Sequence, residues 1–237
     1  MTSKAAQTAL LVAEAATDAR TEEIPRQVCA VVCEGLGVDG ATLSLLTDTP
    51  SRQLLAASND DALVLEEIQF TVLEGPCLTA AHRGETVAVH DLRHEVTPWP
   101  LFGASVREKL PQVASVYALP VFFGDYVLGS VDLLARRTHA LSAYELEQAE
   151  GVAEAVSAAL MSTRDMLLNG GRPPAWEPQE IVRAHWFDTA RAVGALASRQ
   201  GLTPEDALAR MRAEAFHTGR SLTDITADIL RDPPQDP

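Results

Sequence analysis

The sequence has few cysteines and no long apolar segment. Cys29, Cys33 and Cys77 are its only cysteines, an odd number in a chain without a secretory leader pattern, so we do not expect a disulfide framework. No stretch approaches the roughly 18 apolar residues of a membrane span, and the N-terminus lacks the ordered regions of a signal peptide. These absences predict a cytoplasmic protein with reduced thiols.

Basic residues are also scarce. The chain has 19 Lys+Arg against 33 Asp+Glu, a formal charge of −14, which excludes broad electrostatic attraction to nucleic acid or to an anionic membrane. Residues 1–176 contain 12 basic and 23 acidic residues, whereas residues 177–237 contain 7 and 10. All seven of the latter basic residues are arginines, whose forked donors suit phosphates and base edges. Composition therefore leaves room for a local nucleic-acid site near the C-terminus.

Sequence motifs of common enzymes are missing, including a P-loop, HExxH, GxSxG and CxxC. We therefore expect neither an enzyme nor a resident cofactor or metal. Cys29 and Cys33 could face one metal ion, but no further ligands are near in sequence, and burial is the preferred interpretation. His82, His90 and His94 are interpreted in the same way, as surface or internally bonded side chains.

Cys77 is the one candidate ligand or redox residue of the N-terminal part. It lies in LEGPCLTAAHRG, directly after Gly75 and Pro76, where a helix is predicted to begin. A helix N-terminus lowers a thiol pKa and presents backbone N–H groups to an anion. The alternative is a buried cysteine that only packs in the core, and both interpretations stay open.

Residue patterns up to position 141 predict a sheet that carries helices. Apolar spacing is helical from about residue 5 to 36, and glycines then precede the alternating strand pattern ATLSLL. Further strands are predicted at Leu54–Ser58, Thr86–His90, Ser115–Phe122 and Tyr126–Leu134, the last two as a hairpin. This pattern favours an α+β sensor-type domain over a doubly wound one.

Residues 142–168 form a predicted connector helix with a heptad seam. Its a and d positions are Leu146, Ala149, Ala153, Val156, Leu160, Thr163 and Leu167. The preferred interpretation is a coiled-coil-like homodimer through Leu146–Leu167, and the alternative is a helix that packs on its own sheet. Two glycines and three prolines in NGGRPPAWEP then predict a linker over residues 169–178.

Residues 179–231 are predicted to form three helices, and the DPPQDP tail, residues 232–237, is predicted to be disordered. Thr203 and Pro204 predict the start of the second helix, Gly219 its end, and Ser221 the start of the third. Before these caps, Trp186 and Phe187 lie among basic residues in RAHWFDTAR, either as stacking rings for single-stranded RNA or as core aromatics.

The stretch AVGALASRQGLTPEDALARMRAEAFHTGRSLTDITADIL resembles the ANTAR domain without gaps. The resemblance includes an Ala-x-Gly-x-Leu run, a Gly-Leu-Ser/Thr turn and a Gly-Arg-x-Leu turn. It implies a three-helix domain that reads paired RNA hairpin loops and prevents terminator formation. Carried onto this chain, the RNA-binding residues are Arg199, Thr203, Arg212 and Arg220. Arg191, from the basic and aromatic stretch RAHWFDTAR, is a further RNA-binding candidate, and the alternative for all four arginines is a plain solvated side chain. Departures occur at Val193, Ala195 and Ala197, where the family often has a basic residue, a larger aliphatic residue and Met.

Upstream, the run from Gln69 to Cys77 and the segments WPLF and YALPVFFGDYVLGSVDLLA resemble the GAF domain that often precedes ANTAR in actinobacterial transcription antitermination regulators. The resemblance implies a sensor of a small-molecule or protein signal, without naming the ligand. Two rival interpretations stay open: a GAF-mediated dimeric protein-interaction regulator without RNA binding, and, ranked last, DNA binding by the final two helices. The DNA-binding interpretation is ranked last because the final helix lacks the basic residues of a recognition helix.

Overall fold

The structure, a computed structural model, describes residues 3–18, 23–46, 52–162 and 188–231. The elements in these ranges are, in chain order, α1 (Lys4–Asp18), α2 (Ile24–Leu36), β1 (Gly40–Leu46), β2 (Arg52–Ala57), α3 (Asp60–Val72), α4 (Pro76–Arg83), β3 (Val87–Val89), α5 (Pro100–Lys109), β4 (Ser115–Phe123), β5 (Tyr126–Ala135), α6 (Ala143–Ser162), α7 (Thr189–Gln200), α8 (Pro204–Thr218) and α9 (Leu222–Arg231). The predicted α+β class with an antiparallel sheet is confirmed.

All five strands belong to one antiparallel sheet in the order β2-β1-β5-β4-β3. The predicted hairpin of β4 and β5 is confirmed, and it turns at Gly124, whose φ of 57° suits glycine. Strand β1 passes close to β5 at Gly129, where an added Cβ would overlap the carbonyl oxygen of Ser44. Glycine at this position therefore permits the central strand pairing.

The two faces of the sheet have different chemistry. Helices α2 and α6 cover an apolar face, with Leu43, Tyr117 and Leu133 in its core, and α1 packs against both helices. Helices α3, α4 and α5 cover the opposite face, to which alternate residues of the same strands contribute. Thr42 and Asp132 are directly opposite each other on this second face, and both are buried. A buried polar patch therefore lies beneath α3 and α4.

The helical segment predicted from about residue 5 to 36 consists of two helices, α1 and α2. Pro25 lies in the first turn of α2, where a missing N–H costs no helical hydrogen bond. A proline with this role marks a helix start, so the segment contains a second helix start that apolar spacing alone does not reveal.

The heptad seam of α6 is buried within one chain. Ala149, Ala153, Val156 and Leu160 are at most 4% exposed, and they pack in the same core cluster as α1 and the apolar sheet face. This corrects the predicted intermolecular seam over these four positions, because the chain's own residues occupy them. Thr163, Leu167 and the predicted linker at 169–178 lie outside the described residues. The homodimer itself stays a prediction.

Helices α7, α8 and α9 pack around a separate apolar cluster. Its buried members are Ala192, Leu196, Ala197, Ala207, Leu208, Met211, Ala215, Leu222 and Ile225, joined by Phe70 of α3. The predicted helix boundaries are confirmed: Thr203 caps α8, and Gly201 and Gly219 adopt left-handed conformations at the ends of α7 and α8. The first predicted helix is described only from Thr189, and the tail at 232–237 lies outside the described residues.

Candidate functional site

Arg199 and Thr203 flank the turn between α7 and α8, and both are exposed. The Thr203 hydroxyl accepts a hydrogen bond from the backbone N–H of Asp206 at 3.1 Å, so this side chain already caps α8. Gly201, with φ of 64°, reverses the chain between them. The turn thus presents one guanidinium and one hydroxyl to solvent, with the hydroxyl also used by the helix.

Arg191 and Arg220 form exposed ion pairs with aspartates of the same three-helix bundle. Arg191 Nη1 lies 3.0 Å from Asp188 Oδ1, and Arg220 Nη1 lies 2.7 Å from Asp228 Oδ2. The hydrogen bond from Arg220 holds the pKa of Asp228 below its ordinary value, with a smaller contribution from Arg231. Exposed pairs of this kind are weak, so a phosphate can compete for either arginine.

Arg212 is buried, although it was predicted to contact RNA. It is 6% exposed, its Nε donates to the backbone carbonyl of Phe70 at 3.0 Å, and its guanidinium lies 4.7 Å from the centre of the Phe70 ring. Burial lowers the pKa of Arg212 to about 10, which leaves the side chain charged at neutral pH. In this arrangement Arg212 contacts α3 instead of solvent.

Charge within the bundle is balanced. Residues 188–231 contain six arginines and six aspartates or glutamates. Long-range attraction to RNA is therefore weak, and any recognition depends on where individual guanidinium groups lie. The structure brings Arg199 and Thr203 together, whereas Arg220 lies at the other turn of α8 and Arg212 is buried between them.

A second candidate site is the buried polar patch beneath α3 and α4. The backbone N–H of Cys77 donates to Gln69 Oε1 at 2.9 Å, and Gln69 Nε2 donates to Asp132 Oδ2 at 2.7 Å. Ser130 donates to the other oxygen of Asp132 at 2.8 Å. We call Glu66, Gln69, Cys77, Ser130 and Asp132 the sensor cluster. Its hydrogen bonds link α3, α4 and β5.

The sensor cluster contains three side chains whose ligand atoms could hold a cation. Atoms of Glu66, Cys77 and Asp132 lie within 4.8 Å of one another, and all three residues are buried. A thiolate with two carboxylates is a donor set that suits a borderline-soft cation such as Zn²⁺. Cys77 was a sequence candidate, but Glu66 and Asp132 were missed. The polar pair Ser130 and Asp132, two residues apart in an otherwise apolar strand, was the available signal.

Cys29 and Cys33 take no part in this cluster. Burial raises the pKa of both thiols, and their Sγ atoms contact the carbonyl of Ala56 at 3.8 Å and the hydroxyl of Ser58 at 3.5 Å. Burial of Cys29 and partial burial of Cys33 confirm the interpretation of these residues as packing residues.

The predicted histidine candidates have local partners. His82 Nδ1 lies 2.7 Å from the Leu78 carbonyl, and His94 Nδ1 lies 2.8 Å from Asp91. His90 stacks against His139 and touches Tyr117. The predicted stacking rings Trp186 and Phe187 lie outside the described residues.

Comparison with known families assigns both modules. The model described as GAF domain matches residues 18–161. The chain belongs to the GAF domain family. A second model, described as ANTAR domain, matches residues 189–230, which are α7 to α9. Both resemblances inferred from sequence are confirmed, whereas no curated protein sequence matches the chain.

Solved structures support the GAF fold. A GAF domain from a phosphoenolpyruvate-protein phosphotransferase of Coxiella burnetii is 17% identical, with a TM-score of 0.51 over 68% of this chain and 95% of that one. The reduced form of fRMsr of Staphylococcus aureus is 18% identical, with a TM-score of 0.51 over 68% and 99%. Free methionine-R-sulfoxide reductase of Neisseria meningitidis is 17% identical, with a TM-score of 0.50 over 70% and 95%. These likenesses concern the fold alone.

The two domains together indicate the general class of the protein. An ANTAR domain implies an RNA-binding antitermination regulator, and here it follows a GAF sensor domain. Both are regulatory domains, which favours a regulator over an enzyme. Within the described residues, no helix combines the length and apolar character that crossing a membrane requires.

Proposed function

We propose that this protein is a signal-responsive transcription antitermination regulator whose ANTAR domain binds paired RNA hairpin loops. The match of the ANTAR family to residues 189–230 carries the proposal, because those residues coincide with the three-helix bundle. The arginines of the bundle supply the donors that phosphates and base edges accept. Such a protein works where transcripts are made, in the cytoplasm.

Arg199 and Thr203 are the proposed centre of the RNA-binding surface, since both are exposed at one turn. Arg191 and Arg220 would join them after exchanging their carboxylate partners for phosphates. Arg212 can join only if it leaves Phe70.

A binding titration tests the proposal. The full chain is titrated against a two-hairpin RNA, a scrambled single-stranded RNA and a duplex DNA over a range of salt concentrations. We expect preference for the hairpin RNA, weakening with salt, and a loss of about tenfold in Arg199→Ala, since a charged contact contributes about 1.5–3 kcal/mol. Arg26→Ala is the matched control, because Arg26 is an exposed arginine of the GAF domain. Equal affinity for all three nucleic acids would reject hairpin recognition.

The alternative is a protein-interaction regulator without RNA binding. Burial of Arg212, together with the balanced charge of the ANTAR domain, favours it. It predicts no affinity for any of the three nucleic acids at low salt, so the same titration separates the two functions.

We also propose that the protein is a homodimer that uses the exposed side of α1 next to α6. The α6 seam is occupied within the chain, whereas Leu10 and Leu11 of α1 are 61% and 43% exposed. Sedimentation of Leu10→Glu and of Val96→Glu, the same kind of change at a 99% exposed apolar residue outside α1, measures the assembly. Loss of dimer in the first variant alone is expected. A monomeric wild-type chain would contradict the dimer.

A further inference from the structure

One helix of the GAF domain, α3, holds the ANTAR domain through Arg212. We propose that this contact is autoinhibitory: α3 covers an arginine of the RNA-binding surface and keeps the protein in a form that cannot bind RNA fully. The inference rests on the proposed function and adds its regulation. The contact itself joins Phe70 to Arg212 and Glu67 to Thr223.

Arg212 is bound at α3 by interactions that suit a guanidinium. Phe70 lies in the last turn of α3, where backbone carbonyls have no partner within the helix, and one of them accepts from Arg212 Nε at 3.0 Å. The C-terminal end of a helix also carries partial negative charge, which favours the cation. The Phe70 ring, 4.7 Å from the guanidinium carbon, adds a cation–π contact. RNA phosphates and bases would offer the same guanidinium equivalent interactions.

Phe70 contributes to the ANTAR core more than to its own domain. It is 8% exposed and belongs to the apolar cluster of α7, α8 and α9. A second bond joins Thr223 Oγ1 of α9 to Glu67 Oε1 of α3 at 3.0 Å. The side chains of Glu67 and Phe70, three residues apart, form one docking face on α3.

The contact has the character of a reversible interface. A cleft remains beside it, lined by Thr71 of α3, Glu108 of α5 and Phe216 of α8, and Phe216 is 49% exposed. Two of its contacts are hydrogen bonds, and partly polar interfaces between domains permit relative motion. In the sequence, the predicted linker over residues 169–178 separates the two domains, and its ten residues span up to about 35 Å when extended. The tether therefore does not itself require the ANTAR domain to sit on α3.

Helix α3 also carries part of the sensor cluster. Glu66 and Gln69 reach the buried cluster, while their neighbours Glu67 and Phe70 contact the ANTAR domain. Any event at the cluster that shifts or rotates α3 moves the docking face with it, because a helix turn is rigid over this length. The sensor cluster and the contact with the ANTAR domain thus both depend on the position of α3.

The test compares closed, opened and locked forms of the full chain in the hairpin-RNA titration. Phe70→Ala and, more mildly, Glu67→Ala open the contact. The double variant Glu67→Cys, Thr223→Cys locks it when a disulfide-containing bismaleimide cross-linker joins the two thiols, since the native side chains are in hydrogen-bond contact and the cross-linker spans the gap that two shorter cysteine side chains leave. The single variant Glu67→Cys, treated with the same cross-linker, controls for the native cysteines.

We expect the opened variants to bind hairpin RNA about fivefold or more tightly than the wild type, a typical size for coupling between sites. The locked form should lose binding and regain it with a thiol reductant. Equal affinity of wild-type, opened and locked forms, or weaker binding by the opened ones, would overturn the autoinhibitory contact while RNA binding stands. Absence of RNA binding in every form, including the opened ones, would instead overturn the proposed function and this inference with it.

Discussion

At the scale of single residues, several side chains that suit RNA binding already have partners within the protein. Thr203 caps α8, Arg220 pairs with Asp228, and Arg212 contacts Phe70. Arg199 is exposed at the turn beside Thr203. RNA binding by these residues would therefore require exchange of partners, and mutations can affect stability as well as binding.

Thr203→Ala should destabilise the ANTAR domain by about 1 kcal/mol, because the N–H of Asp206 loses its cap. Urea unfolding followed by far-ultraviolet circular dichroism measures the change. Thr203→Ser keeps the hydroxyl and should unfold close to the wild type. An unchanged midpoint in Thr203→Ala would show that the cap contributes nothing.

The lowered pKa of Asp61 predicts that the stability of the protein depends on pH. Hydrogen bonds from Gln112, first, and from Arg136 hold the pKa of Asp61 below its ordinary value. A carboxylate with a lowered folded-state pKa stabilises the protein above its unfolded-state pKa, and the contribution disappears as pH falls through the folded-state value.

Asp61→Asn should therefore melt at a lower temperature than the wild type at neutral pH, with the difference shrinking as pH falls below about 4. Scanning calorimetry across this range provides the measurement. Asp60→Asn, an exposed neighbour in the same helical turn, is the control. A difference that stays constant with pH would rule out the carboxylate as its source.

At the scale of elements, the strands and caps were predictable and the docking of α3 was not. The Phe123-Gly124-Asp125 turn between two strand candidates predicted the hairpin of β4 and β5, and Thr203 with Gly219 predicted the ends of α8, because these signals are local. The contact of Phe70 with Arg212 joins residues distant in sequence, with no pattern in either segment that specifies it. Glu66 and Asp132 were missed for the same reason, because they come close to Cys77 only in the folded protein.

Gly129→Ala tests the close approach of β1 to β5. An added methyl group would overlap the Ser44 carbonyl, and we expect a loss of about 2–3 kcal/mol in the free energy of unfolding. Gly151→Ala is the matched control, since Gly151 lies in helix α6 and an added Cβ there meets nothing within 4 Å. It should be neutral or stabilising by up to about 1 kcal/mol. Equal unfolding midpoints for the two variants would refute the tight approach.

At the scale of the whole molecule, the ANTAR domain contacts helix α3 of the GAF sensor domain. The heptad pattern of α6 was misleading as evidence for a coiled coil, because the helix must also cover its own sheet and α1. Apolar spacing on a helix identifies a buried face without identifying what buries it. The sensor cluster and the contact with Arg212 lie on different faces of α3.

Mapping of RNA crosslinks on the full chain tests the central claim most directly. A two-hairpin RNA is photo-crosslinked to the wild-type protein and to Phe70→Ala, and the crosslinked peptides are identified by mass spectrometry. Crosslinks should fall at the Arg199 to Thr203 turn and near Arg220, and should increase and extend to Arg212 in Phe70→Ala. Crosslinks confined to the GAF domain, or none in either protein, would contradict RNA recognition by the ANTAR domain.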